Sequence, residues 1–213
     1  MLADPERSEI DEHTGKLIVG LIALFLASFT NFFSGDSINS ISEAYHQGGW
    51  ARDIFVGFLF AITAFLLAYN GKSRRQMVLS KIAALAAVGV AMFPCECEIY
   101  DEIIPKVHSL SAAVMFIVLA FFCYTFYRRA KNKGHLQAKI RAYIYAACGI
   151  TIALSILILA IDNLFGGFIS SSIERLTFYG ESAGLVAFGI AWLTASRTLI
   201  LLTTKEERLL PFS

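Results

Sequence analysis

Ser40, Ser42 and His46 share one short stretch of this chain, Arg52 and Asp53 follow a few residues later, and His108 and Glu181 each open a later apolar segment. A serine hydroxyl becomes a nucleophile when an imidazole takes its proton and a carboxylate orients that imidazole. Ser42, His46, Asp53, His108 and Glu181 are therefore the candidate catalytic residues of a hydrolase or acyl-transfer reaction. The same groups, joined by Ser40 and Arg52, could instead bind a polar headgroup as a ligand. A third use is purely structural: Ser and Asp cap helices, and Arg52 pairs with a neighbouring acid. The isoleucines at 38 and 41 predict a loop folded back on the rest of the molecule, because a solvated linker would not need them.

Metal and cofactor chemistry has less to stand on. Cys95 and Cys97 flank one residue just after Pro94, and with His108 they would be the ligands of a soft metal. A lone Cys-x-Cys carries little weight, so no metal or cofactor is expected. Two such thiols on an oxidising face could also oxidise together, in a short strained ring. Cys123 and Cys148 lie in apolar runs and read as small fillers. The chain has no glycine-rich phosphate loop, no His-Glu-x-x-His and no Gly-x-Ser-x-Gly.

The elements that must position these residues are membrane helices. The 213 residues are 56% hydrophobic and only 16% charged, with a mean hydropathy of +0.62. A soluble domain has about 25% charged residues. A spanning helix needs about 20 mostly apolar residues, and six runs qualify, at residues 17–33, 54–69, 77–93, 107–127, 142–161 and 178–195, the last extended by 198–204. Lys81 sits near one end of the third run, where its stem can reach the headgroups. Gly20, Gly57, Gly89, Gly149, Gly184 and Gly189 read as close-packing positions between helices. The fold class is thus all-α, a polytopic bundle of six transmembrane helices.

Charge sets the orientation. Of the 18 basic residues, all but Arg52, Lys106 and Arg175 fall in the tails, at Arg197 just before the C-terminal one, in residues 71–81 or in residues 128–141. Basic loops stay cytoplasmic, which predicts N-in/C-in topology in a cell membrane. Residues 1–16 and 205–213 are then cytoplasmic tails around a transmembrane domain at 17–204. Tyr124, Tyr127, Tyr143 and Tyr145 flank the basic loop as interface aromatics would. The start of the chain is acidic rather than basic, unlike a secretory signal. A net charge of +1 gives no reason to expect nucleic acid. The opposite face is acidic, and three spans begin there with Asp53, His108 and Glu181. Were those helices to adjoin, the three residues would converge on one pocket whose positive helix ends suit an anion.

The run from Ser40 to His46 followed by Arg52 to Leu59 resembles the first loop and second helix of the DUF998 family, six-span membrane proteins of unassigned function. The proline that ends the third run, in Ala91-Met-Phe-Pro94, and the His-led fourth, from His108 to Phe116, fit the same pattern. The arrangement is more distantly similar to the Frag1/DRAM/Sfk1 group, which is tied to lipid handling and membrane signalling. The resemblance covers roughly residues 17–200 and implies the fold rather than an activity. The ceramidase-like hydrolases fit poorly, because the four histidines include no His-x-x-x-His pair.

The leading expectation is a membrane protein with a polar pocket on the non-cytoplasmic face, holding a lipid headgroup or a membrane partner, with membrane lipids, a partner protein or a second copy as its associates. The alternatives are a Ser/His/carboxylate enzyme on that face and, third, a small-solute transporter, for which the chain lacks central charges or broken helices.

Overall fold

The computed structural model describes residues 12–95, 104, 106–204 and 207. These residues form helices joined by turns: α1 (Glu12–Phe33), the single turn α2 (Ala44–Gln47), α3 (Gly49–Ala68), α4 (Arg74–Met92), α5 (Val107–Lys131), α6 (Leu136–Leu164) and α7 (Leu176–Ala195), then a 3₁₀ turn at Ile200–Leu202. Six of the helices are long and apolar enough to cross a membrane. Large apolar side chains face outward on them: Phe32 is 77% exposed, Leu85 70% and Ile117 57%. In water such a belt would drive aggregation. In hydrocarbon it is the matched surface, and each helix satisfies its own backbone. The chain is a multi-pass membrane protein.

Short connections force consecutive helices to run antiparallel and side by side. The result is a ring in chain order, α1–α3–α4–α5–α6–α7, closed by packing of α1 against α7, with α5 also touching α7 across it. Membrane helices pack through small residues because lipid offers no hydrophobic drive to associate. The α1–α7 seam shows this directly. A Cβ built on Gly189 would lie 2.8 Å from the Gly20 carbonyl oxygen, and one on Gly20 would lie 3.0 Å from that of Gly189. Between α3 and α4 the link is polar: the Ser80 hydroxyl donates to the Leu66 carbonyl and that of Thr63 to Ala84.

Aromatic rings fill the axis at the basic end. Trp192, 1% exposed, lies 5.1 Å from Phe188, 5.4 Å from Tyr69 and 6.2 Å from Phe122 between ring centroids. Leu26, Leu59 and Leu119 are buried as well, each 2% exposed or less.

The helices outrun the apolar segments at most ends, because intrahelical hydrogen bonding persists into the headgroup region where polar side chains are welcome. Residues 12–16 therefore belong to α1 rather than to a tail. At the other end of the chain the helix does not extend into 198–204. It stops at Ala195, where Arg197 turns to the left-handed φ of 60°. Tyr124 and Tyr143 are exposed as expected, whereas Tyr145 is 5% exposed and packs against Phe126. Gly57 meets nothing within 4 Å, so it is not a packing position. Lys81 reaches the carbonyls that end α3, at Leu67 and Tyr69, in place of the headgroups alone. Cys123 and Cys148 are buried free thiols.

Candidate functional site

The first loop does fold back on the bundle. Ile38 is fully buried and Ile41 is 3% exposed. Burying that segment obliges its backbone to find partners, and α7 supplies them. A Glu181 carboxyl oxygen accepts from the Ile41 N–H at 2.7 Å. The Phe178 N–H donates to the Asn39 carbonyl at 2.8 Å, and Arg175 Nε donates to that of Ile38 at 2.8 Å. The same guanidinium donates to Asn31 and lies 4.4 Å from the Phe178 ring centroid. Arg175 thus ties the end of α1, the loop and the start of α7 together.

Both histidines hold backbone. His108 Nδ1 is 2.7 Å from the Phe93 carbonyl, and His46 Nε2 is 2.9 Å from that of Cys95. A carbonyl only accepts, so each of these nitrogens carries a hydrogen, and in neutral His108 the acceptor is Nε2. These two bonds pin the segment after α4 against α2 and α5. Within the loop, the Ser40 and Ser42 hydroxyls lie 3.1 Å apart, and the Glu43 N–H donates to Ser40.

Beneath the loop a cleft of ≈ 730 Å³ opens between α5, α6 and α7. Its rim is polar, with Ser40, Ser42, His108, Asp162, Asn163 and Glu181. Its floor is apolar, with Ala112, Ala113, Phe116, Ile156 and Leu159. On α5 the lining residues 108, 109, 112, 113 and 116 follow one helical face. From His108 to Phe116 the cleft descends about 12 Å along α5, at about 1.5 Å per residue. Gly180 keeps it open on α7, since a Cβ there would lie 3.1 Å from Leu159. A small void of ≈ 30 Å³ beside it is lined by Ser42, His108 and Glu181, among others.

Of the residues singled out from the sequence, Ser40, Ser42, His108 and Glu181 come together around this cleft. Arg52 and Asp53 do not join them. They stand on the outer face of α3, side chains 51% and 67% exposed, 3.9 Å apart. The three helix starts do not converge on one pocket: in the ring α3 packs against α1 and α4, only its inward residues such as Phe55 and Leu59 reach the void beside His108 and Glu181, and Arg52 and Asp53 point the other way. His46 braces the loop beside the cleft without lining it.

Among the described residues no lysine or arginine lines the cleft, while Glu43, Asp162 and Glu181 do. The lining therefore does not suit the anion expected from helix ends alone. Cys95 is disulfide-bonded, so its thiolate is not offered to a metal. Cys97 lies outside the described residues. Among the described residues no cluster of three His, Cys, Asp or Glu side chains could hold a metal ion.

Sequence reasoning found α6 as a span but left it out of the site. Asp162 is 8% exposed and its Oδ1 accepts from the Ile169 and Ser170 N–H groups at 2.7 and 2.9 Å, which shapes the turn into α7. An acid at the end of an apolar run was the available signal, and Ser155 about two turns before it shared its helical face. No family model, curated protein or solved structure matches this chain.

Proposed function

We propose that the chain binds a membrane amphiphile in this cleft, headgroup at the rim and one acyl chain along the apolar floor, on the non-cytoplasmic side of a cell membrane. The observation that carries the reading is the gradient within one cavity: carboxyl, hydroxyl and imidazole groups at the top, and Ala112, Ala113, Phe116, Ile156 and Leu159 below. Water alone would not favour such a floor, and a soluble ligand would not need it. Three carboxyl residues and, among the described residues, no fixed cation at the rim favour a headgroup that donates hydrogen bonds, such as an amine or a hydroxyl-rich group. The aromatic cluster around Trp192, which packs the basic end of the bundle, supports a binder rather than a conduit. The likeness of the first loop to the DUF998 pattern belongs to this reading and adds no activity to it.

Native mass spectrometry of the detergent-purified protein tests the proposal. The expected result is one retained lipid class with an amine or hydroxyl-rich headgroup, lost in Ala113→Phe, which fills the cleft. A bare protein, or equal lipid retention in Ala113→Phe with the fold intact, contradicts it.

A further inference from the structure

At the opposite end of the ring, a second pocket of ≈ 330 Å³ is lined by Lys16, Lys72, Arg129, Lys133, Arg141 and Arg197, over a floor that includes Phe126 and Tyr145. Among the described residues no acidic side chain lines it. Lys16 is 5% and Arg141 3% exposed, although buried cations are costly to place. Two carboxylates outside the lining answer part of this charge. Glu12 meets Lys16 at 2.7 Å. Glu207 meets Arg141 at 2.7 Å and also pairs with Lys133. Among the described residues six cations thus face two carboxylates, and Lys72 and Arg197 take part in no ion pair.

Several details make this a built arrangement rather than a solvated basic loop. Arg129 is held by the Gln76 side-chain oxygen, which also accepts from the Lys72 N–H at 2.8 Å. Arg197 has a left-handed φ of 60°, which L side chains rarely adopt and which glycine would take without strain. An arginine stands there, and it lines the pocket. Glu207 shows that the rim already attracts an anion from the chain itself.

We infer that this pocket is a second, separate binding site, for a phosphoryl group. Arginine forks match phosphate oxygens bidentately, and the lysines add point charge. The basic end is the cytoplasmic one by the charge asymmetry of the sequence, so two sources offer that chemistry: an anionic lipid of the inner leaflet or a soluble phosphate compound. A groove between α4 and α5, with Arg75, Arg128 and Tyr124, shares Arg129 and Asn132 with the pocket and gives a lipid phosphate a lateral approach.

The test uses the full chain in phosphatidylcholine nanodiscs. Inorganic phosphate and pyrophosphate are titrated at constant ionic strength while thermal unfolding is followed. A parallel arm compares nanodiscs with and without phosphatidylglycerol. Stabilisation by pyrophosphate assigns a soluble source, and stabilisation only by phosphatidylglycerol assigns a lipid one. Either supports the site. Arg197→Gln and Lys72→Gln should each weaken the apparent affinity about tenfold, the loss of one charge-assisted hydrogen bond. Lys131→Gln, which removes the same charge from an exposed residue stacked on Tyr127 outside the pocket, should leave the affinity unchanged. Glu207→Gln, which removes the competing carboxylate, should tighten it. No stabilisation in any arm, or an equal loss in Lys131→Gln, overturns the proposal.

Discussion

Replacing Glu181 with alanine should free the first loop without unfolding the bundle. The Ile41 N–H is buried on a residue that is 3% exposed, and Glu181 is its acceptor at 2.7 Å. A buried N–H left without a partner costs about 1–3 kcal/mol. The loop keeps its other anchors, from Phe178 to Asn39, from Arg175 to Ile38 and from His46 to Cys95. The cost therefore falls on local opening rather than on the global fold. A loss of about 1–3 kcal/mol in the opening free energy raises amide exchange about 5- to 150-fold. Hydrogen–deuterium exchange of peptides covering residues 37–47 reads this directly. Glu181→Gln keeps an acceptor oxygen at the same place, so its loop should exchange closer to the wild-type rate. Wild-type exchange in Glu181→Ala would refute the reasoning, and so would identical exchange in the two variants.

Other perturbations follow from the packing and the basic end. Gly189→Ala should lower the unfolding free energy by about 1–3 kcal/mol, because its Cβ would meet the Gly20 carbonyl oxygen at 2.8 Å; Gly57→Ala, with nothing within 4 Å, should be neutral or slightly stabilising in the same thermal assay. Trp192→Ala should cost about 3–5 kcal/mol by emptying the centre of the aromatic cluster, measured by unfolding in mixed micelles. Glu207 gives a pH dependence. Partial burial pushes its carboxyl up, but hydrogen bonds from Lys133 and Arg141 outweigh that and hold it at about 2, below the usual 4.5. A depressed carboxylate contributes stability above its unfolded value and loses it as pH falls towards its folded one. With the side chain 16% exposed, the contribution is about 1–2 kcal/mol. The stability gap between wild type and Glu207→Gln should be full at pH 6 and close between pH 4.5 and 2; a gap that persists at pH 2 would speak against the ion pairs.

The bilayer made most of the fold readable. Six apolar runs with charges between them leave a chain little choice, and the helices lie where those runs predict, longer at most ends. The candidate site was readable in part. His108 and Glu181 were found because polar groups at the start of apolar helices are costly. Arg52 and Asp53 looked equivalent, yet the α3 period already placed them outside. Its buried positions are Ala51, Phe55, Leu59, Ile62 and Leu66, which turn residues 52 and 53 away from the core. Asp162 and the α6 wall were missed because the shape of a cleft depends on which helices adjoin, and no single helix encodes that. The basic pocket was visible only as orientation. Lysines and arginines counted along the chain report which side they face, and only the ring closure of α1 against α7 shows that Lys16, Arg141 and Arg197 share one cavity.

Photocrosslinking within the cleft bears most directly on the central claim. Benzoylphenylalanine at Phe116 lies on the cleft floor, and at the next residue, Ile117, it faces outward with 57% exposure. After illumination in native membranes, intact-mass analysis should show one enriched lipid class attached at 116 and the bulk membrane mixture attached at 117. Bulk composition at both positions, or no lipid adduct at 116, would contradict an amphiphile held in the cleft.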